Sequence, residues 1–526
     1  MEPLHAGVTP GESWYVVEDR VDFSRSLLWR LQRHYYAGSG IAGWRDGVLP
    51  YYVTSNPTIA NAYAEIVLGL WRDTTGAEQG QEPLYVVELG AGPGLFAFYF
   101  LRRLVELCEQ AGVTPAAFRY ILTDIAPENV HFWEQHPRLR PFAERGLLDT
   151  ALFDIDAAAE IGLRGSGQLL SAGSLRHPLV VIANYVFDSV PQDLLYVDQG
   201  QVSRCLLSSV VDADPAGLAI PELLARLRYR FDYEPVAAPA YPEPALQRLL
   251  ADYQETLGDS HLLFPAAALR ALQRLQALSL RGLVMLTADK GEHRLEGWQG
   301  MPPPALVVHG SFSLDVNYHA FAAFCEQSGG QALVVPRRYS SINVLCLRML
   351  PDTRTSVETR RAYRRCVQDF GPDDYYHIVH HARQSAGAMD VEAILAHVRF
   401  SLYDSYQLAA YLPRLIELAP DLDPEQRAAV VEATDRAWEM YFPLGEALDL
   451  AEQIGLLLYN LEDYARALVY FQRSIDLYGA HAGTLYNLAA CQFMLDEHAA
   501  AEENLRVVLE HDPENRPARD LLAACR

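Results

Sequence analysis

Val86-Val87-Glu88-Leu89-Gly90-Ala91-Gly92-Pro93-Gly94 reads as a buried strand that turns through three glycines into a helix starting near Leu95. A short apolar run, an abrupt glycine-rich turn and an amphipathic stretch from Leu95 to Gln110 make one strand–turn–helix unit. Glycines at such a turn let the backbone pass close to a ligand at the helix N-terminus, where free amides point outward. Gly92, Gly94 and Ala97 satisfy the looser form of the dinucleotide loop. The acid that should follow on the second strand, however, comes 30 residues after Gly94, where about 20 is usual. An oxidoreductase using NAD is therefore disfavoured.

Outward from this unit, the apolar runs LYVVEL (84–89), YILTDI (120–125), LVVIAN (179–184), GLVMLT (282–287) and INVLCL (342–347) alternate with longer amphipathic stretches. That alternation predicts a parallel sheet with crossover helices, an α/β doubly wound, Rossmann-like fold over residues 84–350. Residues 1–83 read as a helical collar, broken by a loop from Gly38 to Pro57 where Gly, Pro and Ser cluster. Past Pro351 strand signals vanish, and Ala, Leu, Glu and Arg at helical spacing predict an all-α domain over 351–526, with the boundary near 350–370.

The helical end also repeats. Asp463-Tyr464, Ala467, Phe471 and Ser474 align, 34 residues later, with Glu497-His498, Ala501, Leu505 and Val508, ahead of Asp512-Pro513. A further degenerate copy would end at Leu418-Ala419-Pro420, with Asp404, Leu408, Leu412 and Leu415 at matching offsets. Helix pairs of this period resemble tetratricopeptide repeats, which implies a concave face for peptides or protein partners rather than a catalytic centre.

With 526 residues, half of them apolar, the chain has length for two to four domains and a composition far from that of disordered chains. Its 43 basic against 67 acidic residues, a net charge of −24, argue against nucleic acid or an anionic membrane as partner and suit a basic or neutral one. Met1 to Asp19 lacks the apolar run of a secretory signal, and no stretch reaches the roughly 18 apolar residues of a membrane span. A cytoplasmic protein is expected. Seven scattered cysteines without a CxxC pair are expected to be reduced core thiols, with neither disulfides nor a metal.

Glu88, two residues before Gly90, resembles the acid of the E/DxGxGxG loop of class I S-adenosylmethionine-dependent methyltransferases. Asn184 to Pro191 (NYVFDSVP) is similar to the NEFFDALP segment of the MidA family within that class, which includes the mitochondrial complex I assembly arginine methyltransferase. In order along the chain, Tyr51 to Pro57 resembles that family's GDFxTSPE loop, Ala288-Asp289-Lys290-Gly291 its DYG, and His309 through Asp315-Val316-Asn317-Tyr318 its H…DITxHVDF. Tyr185 stands where the family has a glutamate, Asn56 and Pro57 replace PE, and Asn317 and Tyr318 replace DF.

The resemblance implies S-adenosyl-L-methionine as cofactor, bound by the Gly90, Gly92 and Gly94 loop, with Glu88 near its positively charged methionine end. Asp124 is expected at the ribose hydroxyls, Asp154 or alternatively Asp156 at the adenine amino group, and Asn184 beside the methyl donor, with Thr54 and Ser55 lining the cofactor from the collar. An acceptor nitrogen on a protein or peptide, arginine first, would be served by Asp188, Asp289 and Asp315, with His309 as an alternative base. The repeats would recruit the substrate. The alternative is a degenerate cofactor-binding scaffold whose repeats assemble a protein complex; the oligomeric state is open.

Overall fold

In the computed structural model, which describes residues 14–45, 52–75, 82–309, 311–352 and 356–525, the strand Leu84–Glu88 is buried along its whole length. It belongs to a seven-stranded sheet. From edge to edge the order is Gln331–Leu333, Asn343–Met349, Leu283–Asp289, Leu179–Asn184, Leu84–Glu88, Phe118–Asp124 and Leu148–Leu152. The last five run parallel. Asn343–Met349 lies antiparallel to Leu283–Asp289, which corrects the expectation of a purely parallel sheet. An apolar run buried on both faces carries no mark of its direction, so INVLCL could not be oriented from its residues. Chain order reverses between Leu84–Glu88 and Leu179–Asn184, where Glu88 is in register with Ile182. The carboxyl ends of these two strands open the crevice in which doubly wound sheets bind ligands.

The N-terminal region is not wholly helical, which corrects the helical collar expected for residues 1–83. Tyr15–Asp22 is a strand, paired antiparallel with Gln201–Val211 in a second sheet that also holds Asp193–Asp198, Ser260–Phe264 and Arg228–Pro235. Its residues YVVEDRVD have no clean two-residue alternation, and its pairing is with a strand almost 190 residues away in sequence. The helices Leu27–Ser39 and Pro57–Thr75 do form. Asn56 starts the second: its Oδ1 accepts from Thr58 N (3.0 Å) and Ile59 N (3.2 Å), and Pro57 takes the first helical position. Ile59, Ala60, Tyr63, Ala64, Ile66 and Leu70 are fully buried, because this helix packs on both Leu95–Ala111 and Val357–Tyr363.

The chain divides into two compact units, Met1–Asp374 and Tyr375–Arg526. Val357–Tyr363, the first helix after the sheet, stays with the first unit. The Asp73 carboxylate accepts from Glu358 N (3.0 Å), Thr359 N (2.8 Å) and Thr359 Oγ1 (2.7 Å). Gly69 lies so close to the Glu358 backbone that a Cβ there would stand 2.9 Å from it.

The second unit is helical throughout. Ala467, Phe471 and Ser474 on Tyr464–Tyr478, and Ala501, Leu505 and Val508 on His498–His511, are all fully buried, so the 34-residue period is a period of packing. Small residues sit at the crossings: a Cβ on Gly455 would stand 2.7 Å from the Phe471 ring. Asp404 caps Ser405–Leu418 through Tyr406 N (2.9 Å), and Leu408, Leu412 and Leu415 are buried. The seven cysteines are free, five of them buried. Among the described residues no helix is long and apolar enough to cross a membrane.

Candidate active site

Gly90, Gly92 and Gly94 all adopt positive φ (+58°, +54° and +79°), which a side chain would resist. At Gly92 a Cβ would also crowd the Trp44 ring, at 3.0 Å. The turn is held from behind. Trp133 Nε1 donates to Gly92 O (2.9 Å), Ala91 N to Thr123 O (2.9 Å), and Gly92 N to Asp124 Oδ2 (3.1 Å). Asp124, at the end of its strand, also accepts from Ala126 N and Asn129 Nδ2, both at 3.0 Å. Its acid–base equilibrium is shifted upward by burial, against the pull of these donors.

Two cavities open from this turn. The smaller, about 210 Å³, is lined by Thr54, Ser55, Glu88, Gly90, Gly92, Asn184, Asp188, Asp289 and Asp315 among others, so nine of the candidate residues, drawn from five segments, line one cavity. The larger, about 570 Å³, is lined by Asp124, Phe153, Asp154, Asp156 and the helix face of Trp29, Arg33 and Tyr36. Gly94 is set back: it caps Leu95–Ala111 and packs against Trp133. His309 lies on the short strand Val307–His309, and its side chain falls outside the described residues. So does Tyr51.

The walls of the smaller cavity are acidic. Glu88 accepts from Tyr120 Oη (2.8 Å), and burial pushes its carboxyl up to about 8, the hydrogen bond working in the opposite direction. Asp188 accepts from Ser189 Oγ (3.0 Å) and is raised to about 6, again by burial. Asp289 is also raised, well above the ordinary carboxylate range, by burial and then by the neighbouring Asp188. Its Oδ1 accepts from Lys290 N (2.8 Å), while its buried Oδ2 has no protein partner. Asp315 stands at the exposed rim and is not the cap of the following helix; Asn317 is, accepting from Ala320 N (2.9 Å).

Residues 458–525 match the tetratricopeptide repeat family. No curated protein matches the chain. Among solved structures it is similar to an uncharacterized superfamily protein from Burkholderia thailandensis, at 15% identity and a TM-score of 0.40, over 64% of this chain and 89% of that one. A second protein of that superfamily and organism, bound to S-adenosyl-homocysteine, gives the same identity and TM-score over 64% and 90%. The CurJ carbon methyltransferase follows at 14% and 0.26, over 55% and 54%. Identities and TM-scores this low carry no function across.

Asn184 serves the architecture as well as the cavity. Its Oδ1 accepts from Tyr63 Oη (3.0 Å) and its Nδ2 donates to Thr54 O (3.4 Å), which ties the collar to the strand end. Asp154 and Asp156 both face the larger cavity, and Arg33 pairs with both, so the structure brings the two alternatives together without choosing between them. Tyr120, Asn129, Trp133, Tyr36 and Trp44 escaped the sequence reading. The first three act through other site residues, and the last two stand on helices whose aromatic content (LLWRLQRHYY, AGWR) equally suits a packed core.

Proposed function

We propose that this chain is a cytoplasmic S-adenosylmethionine-dependent methyltransferase, related to the MidA family, that acts on a protein or peptide nitrogen, arginine first. The observation that carries the reading is the convergence of Glu88, Asp188 and Asp289 on one cavity beside a turn whose three glycines hold positive φ. The donor set suits the cofactor: acids for a cationic amino-acid end at Glu88, for ribose hydroxyls at Asp124, and for an adenine amino group at Asp154 or Asp156. When bound, S-adenosylmethionine supplies an electrophilic methyl group. The chain itself supplies position, charge and a dry wall.

Asp188 and Asp289 align a guanidinium, which can meet two carboxyls at once, whereas an ammonium must lose its proton before it can attack. Asp188 takes the proton that the acceptor nitrogen releases, and the otherwise unpartnered Oδ2 of Asp289 accepts a hydrogen bond from the guanidinium. The tetratricopeptide repeats, within a unit that carries 24 acidic against 11 basic residues, recruit a basic protein to this site. Incubating a cell lysate with the protein and methyl-labelled S-adenosylmethionine, followed by mass spectrometry, tests the reading. Label on protein arginine is the expected result. Label on a nucleic acid, a carboxylate or a small phenol ends the arginine assignment, and a thermal shift with NAD but none with the adenosyl compounds ends the transferase reading.

A further inference from the structure

Four residues line both cavities: Gly90 and the three aromatics Tyr36, Trp44 and Tyr185. The boundary shared by the acidic lobe and the wide lobe is thus an aromatic waist. Each ring is held there by a different device. Tyr36 rides on the helix Leu27–Ser39, its ring edge-on to Tyr35 at 5.8 Å. Trp44 lies against Gly92, closely enough that a Cβ on that glycine would be 3.0 Å from it. Tyr185 has a φ of +51°, a conformation that bulky residues rarely adopt, and its N–H is fixed to Ala288 O at 3.0 Å. Backbone strain of this kind persists where the surroundings impose it, and it concentrates at ligand clamps.

Glu88 lines only the small lobe and Asp124 only the wide one. Resting on the transferase reading, this division has a consequence for the ligand. In S-adenosylmethionine the sulfur is bonded on one side to the amino-acid chain and on the other to the ribose-bearing carbon. A molecule with its ammonium at Glu88 and its ribose at Asp124 must therefore pass its sulfur through the waist. We infer that Tyr36, Trp44 and Tyr185 form an aromatic cage that grips the sulfonium by its positive charge. The negative faces of aromatic rings attract a cation, most strongly where water is excluded. Glu88 and Asp188 stand within the same lobe and add to that attraction. The cage distinguishes the charged donor from the neutral thioether that remains after transfer, and so favours exchange of product for fresh donor.

The experiment measures dissociation constants of the full chain for S-adenosylmethionine and S-adenosylhomocysteine by calorimetry, in the wild type and in matched variants. Trp44→Leu and Tyr185→Leu remove the ring and keep apolar bulk; Trp44→Phe and Tyr185→Phe keep a ring. The Leu variants are expected to weaken the sulfonium ligand by about fivefold or more relative to the thioether, and the Phe variants to retain most of the preference. If either Leu variant melts far below the wild type, the pair at the other position reads the same ratio. Equal loss of both ligands in the Leu variants would overturn the cage and leave the transferase reading standing. Failure of the wild type to bind either ligand would overturn both.

Discussion

Tyr120 Oη donates a 2.8 Å hydrogen bond to Glu88 Oε2 between neighbouring parallel strands, with both side chains buried. The bond favours the ionised carboxylate, yet burial outweighs it and the Asp124 carboxyl adds to the rise. Glu88 therefore titrates in a range where a cationic ligand can draw off its proton.

Stability should fall as pH rises. The folded Glu88 carboxyl sits near 8 against an ordinary 4.5, so the unfolded chain loses its proton first, and the contribution is present in full below about 4.5 and gone above about 8. The loss is at most about 5 kcal/mol at 1.36 kcal/mol per unit. Asp188, raised in the same sense, steepens the lower part of the slope. Melting temperatures between pH 5 and 8 should decline for the ligand-free chain, and Glu88→Gln should flatten the decline; an equal slope in that variant refutes the assignment.

Tyr120→Phe removes a donor to the carboxylate and keeps the ring that packs on Phe100 at 5.0 Å. A hydrogen bond of about 1 kcal/mol moves a titration by a little under one unit. The pH midpoint for S-adenosylmethionine affinity should rise by about that much, a change that a packing defect alone would not produce. Calorimetry from pH 6 to 9.5 reads it.

Asp188→Asn keeps the shape of the site and its contact with Ser189 while abolishing the base. Cofactor affinity should stay within a few-fold, and turnover should drop about a hundredfold or more. Unchanged turnover would assign the proton to another group.

A chain ended at Asp374 should keep the cofactor site at near wild-type stability, whereas one ended at Leu350 should be markedly less stable. The second cut strips Val357–Tyr363 from Pro57–Thr75 and leaves Asp73 without the three donors it now accepts from. Equal melting temperatures for the two truncations would place the boundary at 350 after all.

Gly455→Val should strain the repeat unit, because its first carbon would already stand 2.7 Å from the buried ring of Phe471. Overpacking of this kind costs about 1–3 kcal/mol. Hydrogen exchange over 450–478 in the full chain should speed up in the variant, with residues 84–289 unaffected.

Sequence alone determined the strand–turn–helix unit, the acids at strand ends and the 34-residue period. Each of these is a local pattern: glycines where φ is positive, carboxylates just before the turn, and small or apolar residues spaced so that one helix face is buried, as with Ala467 and Ala501. Strand direction, the second sheet and the domain boundary were decided only in three dimensions. INVLCL is apolar whichever way it runs, Tyr15–Asp22 is a strand because Gln201–Val211 offers it an edge, and Val357–Tyr363 belongs to the first unit because Asp73 caps it from the collar. The same holds for the aromatic waist. Tyr36, Trp44 and Tyr185 lie up to 149 positions apart in a chain with 29 tyrosines and 7 tryptophans, and nothing local separates a ring that lines a cavity from one that fills a core. That distinction depends on which atoms lie opposite, and only packing brings them there.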